Sequence, residues 1–530
     1  MNIPDNWRVK LGSFYLDWAE KLPRFRGGII AELQNLRERQ RQDAKTAFQE
    51  SRFPDGVSIE LSYIRLAEIF LLEDTGQLKK GLRHLFPTIN DKTGGEHIIG
   101  DFTSFATGLT SAGWKTIGLI VRQGNTTAGL SNIIHFRELP NLPPEVKCIE
   151  VQLHKFLSSS IILTFDIHLT QEVTARLLEL HKQIYLPHIR FSKLAPWNLV
   201  SGGLSEGSPD TGVTDAILQW LKNLRIQVEK IIQPYFRGYF FNAPPNVSAR
   251  LPAIEVFKLK GTPSKPEDLH NWLCKIENSV WWKSVGFNSS SSIYSDGNMA
   301  FIWPDERKSY FQPAYRFVVL QEDEAAPMKA SLAVHSLIPA VTIQEDEAVP
   351  MEASLAVHSL IPAVTILELL RSVGKNIETL RMRTFQKMHP APAKRWWLGS
   401  LIKQNNMVQR ESMILDRVVM DVKQGTQWIN YVTSEIVALK NLEPQRRKQE
   451  DANLQTMMLA RVDSRTKLLG EHLSLIKKFS DGRLANLNIA VMYRLQIVAI
   501  LLTIVGTFAA IIEIWKEWKH IKEFFCHLLN

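Results

Sequence analysis

The sequence predicts α+β N-terminal modules followed by an all-α helical stalk and one C-terminal transmembrane helix. Three observations predict it. Residues 149–169 alternate apolar and polar with period two; apolar residues recur every seven positions from Leu401 to Ile436; and Leu495–Trp515, LQIVAILLTIVGTFAAIIEIW, is an apolar run close to the last residue. About 20 apolar residues in a helix cover the hydrocarbon core of a bilayer. A chain of 530 residues exceeds one core and implies about three domains.

Residues 1 to about 95 read as helical, in segments Leu22–Gln49 and Ile59–Leu72 parted by Pro54-Asp55-Gly56. In the next region Ile149, Val151 and Leu153 alternate with Glu150, Gln152 and His154, and Ile161, Leu163, Phe165, Ile167 and Leu169 alternate with Ile162, Thr164, Asp166 and His168. This pattern predicts an antiparallel pair with one wet face. Thr170 is suited to cap a helix carrying Val173, Leu177, Leu180 and Ile184. Residues 1–200 form a mixed α/β cytosolic domain on this reading.

The composition of 201–212, SGGLSEGSPDTG, predicts a linker. The segment 213–320 reads as a second α+β unit. It opens with a helix bearing Ile217, Leu221, Leu224, Val228 and Ile231 and continues with strand-like PYFRGYFF, AIEVFKLK, MAFIW and YRFVVL. Residues 321–366 hold two direct copies of a 23-residue unit. Gln321–Ile343 and Gln344–Ile366 differ only at Ala326/Val349 and Lys329/Glu352. Two units are too few for a solenoid, so the pattern reads as a tolerated surface insertion.

Residues 367–482 read as a helical stalk or hairpin, with Leu401, Val408, Leu415, Val422, Ile429 and Ile436 on one face. Gln404, Glu411 and Gly425 interrupt the companion stripe. Pro444 is expected to end the first helix, a second returns over about 445–479, and Asp481-Gly482 precede the span. Residues 516–530, KEWKHIKEFFCHLLN, read as a short amphipathic tail with Trp518, Ile521, Phe525 and Leu528 toward lipid.

The net charge of +9 is spread along the chain, as at Arg37, Arg39 and Arg41, and not concentrated on one basic face. That argues against nucleic acid as a partner. Cys148, Cys274 and Cys526 have neither metal spacing nor the even count of a disulfide framework, which suits a reducing compartment. The first residues lack a basic region followed by an apolar run, so the N-terminal body is expected in the cytosol. No cofactor is expected.

Candidate chemistry is sparse. Gly203-Leu204-Ser205-Glu206-Gly207 matches the G-x-S-x-G form in which a sharp strand-to-helix turn exposes a nucleophilic serine, making Ser205 the candidate catalytic residue. Gly95–Gly100, GEHIIG, spaces two glycines as a phosphate loop does, but Asp101 and Phe102 stand where Lys and Ser or Thr belong. Asp296 with Glu306-Arg307-Lys308 has the acids and lysine of a metal nuclease in a turn-like context. Asp166 and His168 on one strand, with Glu150 and His154 on its neighbour, are candidate metal ligands, since imidazole and carboxylate bind zinc or iron.

The apolar run carries more information. Gln496, Ala499, Thr503, Gly506, Ala510 and Glu513 are spaced three and four apart and so share one seam. Small residues admit close helix approach in lipid and polar ones hydrogen-bond across it, so a homo-oligomer is expected through this seam. Tyr493, Arg494, Trp515 and Trp518 flank the run as membrane-interface residues.

The functional expectation is a membrane-tethered, non-enzymatic interaction or sensor protein, partnered by the lipid bilayer. A pore-forming or ion-conducting oligomer is the first alternative, and a membrane-bound serine hydrolase using Ser205 the second. The layout of soluble body, long helices and C-terminal span is similar to that of CorA-type magnesium channels. The Gly-Met-Asn signature and a clear second span are missing, so the likeness implies layout alone.

Overall fold

Strand β1, Ser58–Leu71, lies at the middle of a ten-stranded mixed sheet. The computed structural model describes residues 14, 17–23, seven positions between 31 and 42, 58–87, 113–123, 135–155, 160–182, 188–191, 204–207, 209–242, 251–260, 292–295, 299–303, 315–321, 351–386, 397–424, 440–441 and 454–528. After β1 come helix α1 (Thr75–Leu85), strands β2 (Gly113–Arg122), β3 (His135–Leu139), β4 (Val146–Lys155) and β5 (Ser160–Leu169), and helix α2 (Gln171–Lys182). Strands β6 (His188–Phe191) and β7 (Leu204–Gly207) form a separate antiparallel pair. Helices α3 (Pro209–Ile232) and α4 (Tyr239–Asn242) precede strands β8 (Ala253–Lys260), β9 (Ser292–Ser295), β10 (Met299–Trp303) and β11 (Tyr315–Gln321). Helices α5 (Met351–Gln386) and α6 (Trp397–Gln424), strand β12 (Lys440–Asn441) and helix α7 (Leu454–Leu528) complete the order.

The sheet runs β12-β9-β10-β11-β8-β1-β5-β4-β2-β3. Pairs β8–β11 and β2–β3 are parallel and the others antiparallel. The helix expected over Ile59–Leu72 is therefore a strand, for a physical reason. Both faces of β1 are buried, so it shows the near-continuous apolar run of a central strand, and Arg65 and Glu68 fall three apart as on a helix. Because β1 pairs with both β5 and β8, the strands expected in two units, 1–200 and 213–320, belong to one sheet. The antiparallel β4–β5 pair and strands β8, β10 and β11 lie where the alternation and apolar runs put them.

The expected linker is a further correction. Leu204–Gly207 pairs with β6, and α3 begins at Pro209. The fixed backbone angle of proline suits the first turn of a helix. PYFRGYFF is likewise not a strand but a turn followed by α4, because Phe236, Tyr239, Phe240 and Phe241 fold onto β1. The Phe236 ring lies 6.5 Å from Phe70 and 5.6 Å from Phe165. With Leu66, Leu163 and Val151 these rings form the core on one face of the sheet, and α1 and α2 also contact β1. At position 170 the Thr carbonyl accepts the Val173 N–H, but its hydroxyl has no hydrogen-bond partner among the described residues.

Residues 17–20 and positions between 31 and 42 are helical. Gln34 Nε2 donates to the carbonyls of Ala19 and Leu22 at 2.9 and 3.1 Å. Arg37 pairs with Asp17 and Glu20, and Arg41 with Glu20, so this part of the basic cluster is neutralised by acids.

The chain divides into two units, Met1–Leu369 with Val418–Asp463 and Leu370–Arg417 with Ser464–Asn530. In the first, the C-terminal part of the second repeat copy is core: Leu360, Ile361 and Val364 are fully buried on α5, and Tyr315 Oη donates to Glu368 at 3.0 Å. The surface-insertion reading thus fails for that copy; the first, beyond Gln321, lies outside the described residues. In the second unit Val373, Ile377, Val408, Leu415, Leu469 and Leu473 are buried. Glu411, an apparent defect in the stripe, is buried and accepts a 3.0 Å hydrogen bond from Asn376.

Helix α6 ends at Gln424, and Lys440–Asn441 pairs with β9, so no single helix reaches Pro444. Ile429 and Ile436 lie outside the described residues. Asp481-Gly482, expected to precede the span, lie within a helix: α7 is continuous over 75 residues and includes the expected tail through Leu528. One glycine costs a helix only about 1 kcal/mol, which strong helix on both sides outweighs.

Candidate functional site

Every second residue of a strand faces the same way, and register turns that rule into a cluster. Arg65 on β1 stands opposite Asp166 on β5, which stands opposite Glu150 on β4; Tyr63 stands opposite His168, which stands opposite Cys148. Gln152 stands opposite both Thr164 and Thr116. All of these residues therefore lie on the face of the sheet away from Phe70 and Phe165. The face read as wet is largely buried: Arg65, Asp166, Thr164, Gln152 and His154 are all inside. The counter-charge that permits this is Arg65, which the sequence reading had placed on a helix.

The Arg65 guanidinium forks onto Asp166, with Nε donating to Oδ1 at 2.6 Å and Nη2 donating to Oδ2. Thr116 Oγ1 and Gln152 Nε2 donate to Glu150 Oε1 at 2.9 and 2.7 Å, and His168 Nε2 lies 3.6 Å from Glu150 Oε2. His154 Nε2 and Thr164 Oγ1 are 2.9 Å apart. The Tyr63 ring stands 5.8 Å from His168, and Arg65 Cζ lies 5.7 Å from the Tyr63 ring centroid.

Burial works against the Arg65 charge, but Asp166 more than offsets it and holds the pKa above the ordinary value. For Asp166 burial pushes upward and Arg65 pulls back, leaving the carboxyl above its usual range. Burial pushes Glu150 upward too, yet the His168 ring and the Gln152 and Thr116 hydrogen bonds outweigh it and hold the carboxyl low. Burial, reinforced by Arg65, keeps His154 well below the imidazole range and so neutral. Burial raises the Tyr63 hydroxyl and pushes the Cys148 thiol up to about 12. Neither is a nucleophile at neutral pH, since the deprotonated form reacts.

All four candidate metal ligands share this face but do not converge: Asp166 faces Arg65, and His154, opposite Ile162 and four residues along β4 from Glu150, faces Thr164. Glu150 and His168 form the rim, with side-chain exposures of 13% and 20%. Among the described residues no three His, Cys, Asp or Glu side chains are grouped to hold a metal. Chemically, the arrangement fixes register. A one-residue slip of β1 against β5 would part Arg65 from Asp166 and bury both charges alone.

On the opposite face, Glu68 is fully buried, and its carboxylate accepts the N–H groups of Ile69 and Phe240 on Oε1 and of Phe241 on Oε2, at 2.8 to 3.0 Å. Burial pushes this carboxyl up to about 8 against those hydrogen bonds. Gly238 is the fitting residue beside it: a Cβ there would come within 2.6 Å of Glu68 Cγ and of the Ile69 carbonyl oxygen. A second buried pair, Arg316–Glu255 at 3.0 Å, joins β11 to β8. Sequence reasoning missed Arg65, Glu68, Glu255 and Arg316; their signal was charge inside apolar runs.

Ser205 lies inside β7 with Arg190 opposite. An elbow serine occupies the turn that follows a strand, so this backbone lacks the required geometry. GEHIIG and the Glu306-Arg307-Lys308 segment lie outside the described residues.

Among the described residues one helical segment, Met492–Lys519 of α7, is long and apolar enough to cross a membrane, and none of it is buried. The six seam residues all fall in it. Thr503 donates to the Ala499 carbonyl and Thr507 to that of Thr503, both at 2.8 Å, so each hydroxyl is satisfied within the helix. A Cβ on Gly506 would meet nothing within 4 Å. Tyr493, Trp515 and Trp518 are exposed near its ends. Comparison with protein-family models, curated proteins and solved structures finds no match to the chain.

Proposed function

We propose that this chain is a membrane-tethered, non-enzymatic interaction or sensor protein that self-associates through the apolar segment of α7, with the sheet-bearing unit on the cytosolic side. The observation that carries the reading is the exposure of Met492–Lys519. Apolar surface costs about 25 cal/mol per Å² in water, so a fully exposed apolar helix calls for lipid as its solvent. The non-enzymatic part is supported by the sheet unit's ionisable groups, which are spent on one another: Arg65 with Asp166, Arg316 with Glu255, and Glu68 with backbone N–H groups. Cysteines without a disulfide framework support the cytosolic side.

Self-association is supported by the seam. With both threonine hydroxyls satisfied, Gln496 and Glu513 are the polar groups left to gain from a partner helix, and Gly506 between them permits close approach. Alkaline carbonate extraction tests the tether: the full chain stays in the pellet, and deletion of 484–530 releases it. Cross-linking in mild detergent tests the seam, with discrete oligomers that Gly506→Ile weakens. A wild-type chain that carbonate releases, or that stays strictly monomeric, refutes the corresponding half.

A further inference from the structure

We propose that the outer side of α1 and the turn after α3 form a cationic surface that docks the sheet unit onto anionic lipid headgroups; this rests on the tethered reading above. Helix α1 buries Leu78, Gly81, Leu82 and Leu85 and exposes Lys80, Arg83 and His84, with Lys79 half-buried. Gly81 lets it lie directly on the turn: a Cβ would come within 2.2 Å of the Tyr235 carbonyl oxygen and 2.8 Å of the Phe236 ring. The His84 and Tyr235 rings are 5.0 Å apart. That contact sets the exposed side of α1 next to the turn bearing exposed Arg237, with exposed Lys230 in the last turn of α3.

These cations are unspent by any carboxylate among the described residues. Arg37, Arg41, Arg65, Arg176 and Arg316 of the same unit all have carboxylate partners. Among the described residues Lys79, Lys80, Arg83, Lys230 and Arg237 form no ion pair. The acids nearest in sequence, Glu73 and Asp74, precede α1 at the end where the helix dipole favours negative charge, while Arg83 and His84 occupy the last turn. Glu68 and Glu229 are buried. Half-buried Tyr235 adds an amphipathic ring of the kind that settles among headgroups.

The ligand chemistry is a surface of phosphate and carboxylate charge. Each basic residue near an anionic bilayer strengthens attraction by a factor on the order of five. A tethered unit is held at high effective concentration next to such a surface, so a patch of this size suffices. A nucleic acid reached from free solution would call for a longer basic stripe.

The test uses the full chain in nanodiscs of phosphatidylcholine, with or without phosphatidylserine, and a lysine-reactive label read by mass spectrometry. Phosphatidylserine should slow labelling of Lys79 and Lys80 by about fivefold or more while leaving exposed Lys467 unchanged. High salt should restore the rate in the wild type, and K80E/R83E should abolish the protection measured at Lys79. Equal labelling in both discs, in protein that co-elutes with them, overturns the docking surface alone. Failure to co-elute overturns the tether and the docking surface together. Protection by an RNA oligonucleotide and not by phosphatidylserine overturns the lipid assignment in favour of nucleic acid.

Discussion

Arg65 and Asp166 are 101 residues apart in sequence and directly opposite across the β1–β5 pair, joined by two hydrogen bonds with side-chain exposures of 1% and 4%. Removing one partner strands the other. Arg65→Met or Asp166→Asn should each lower stability by about 3–5 kcal/mol, read as the urea midpoint of the sheet unit by pulse proteolysis. Replacing both, as Arg65→Met with Asp166→Leu, should recover most of the loss. Single variants indistinguishable from wild type would show that the pair contributes nothing.

Glu68 gives the sheet a pH dependence of definite sign. Its folded-state pKa, raised to about 8, exceeds the ordinary carboxyl value, so the folded chain binds this proton more tightly than the unfolded one. The Glu68 contribution is therefore fully present at acid pH and is lost as pH rises from about 4.5 through 8. Stability measured across that window should fall more steeply in wild type than in Glu68→Gln. Parallel profiles would contradict the assignment.

Glycines separate by what surrounds them. Gly238→Ala and Gly81→Ala drive a methyl into backbone oxygen at 2.6 and 2.2 Å and should each destabilise by about 1–3 kcal/mol. Gly470→Ala, in open space on α7, should stabilise by about 0.5–1 kcal/mol because alanine loses less backbone freedom on forming helix. Thermal unfolding of the three variants checks the order; a stabilised Gly81→Ala would be inconsistent with the described contact.

The repeated sequence lends itself to deletion. Removing Gln321–Ile343 puts Gln344 in the place of Gln321, the last residue of β11, and restores QEDEA at the junction, while Leu360, Ile361 and Val364 keep their core positions. The shortened protein should fold and fractionate with membranes as the full chain does. Recovery only as aggregate would mean that the first copy is structural.

Much of the fold was legible where one rule governed one element. Ile149–His154 and Ile161–Leu169 alternate because they are strands, and Leu221, Leu224 and Val228 recur because α3 buries a single stripe. The reading failed where tertiary partners override local pattern. β1 imitates a helix because both its faces are covered and its charges find partners a hundred or more residues away in Asp166 and Phe240. For the same reason the residues of the buried cluster were legible but their setting was not: letters that mark a wet face also mark an internal ion-pair network once Arg65 arrives from another strand. Tyr235 and Phe236 turned out to fold back, not to extend, since the aromatic run packs on Phe70 and Phe165.

The position of β1 in the sheet also has a consequence for synthesis. It is made first, yet its two neighbours are β5 and β8, and Ala253 follows Leu71 by most of the sheet unit's length. At about 5–20 residues per second the ribosome needs on the order of 10–40 s to deliver that second neighbour. Throughout that wait an otherwise apolar strand has bare edges, which is the state from which aggregates start. Glu60, Arg65 and Glu68 are the charges that keep the nascent strand in water until the chain is long enough to hide the last two.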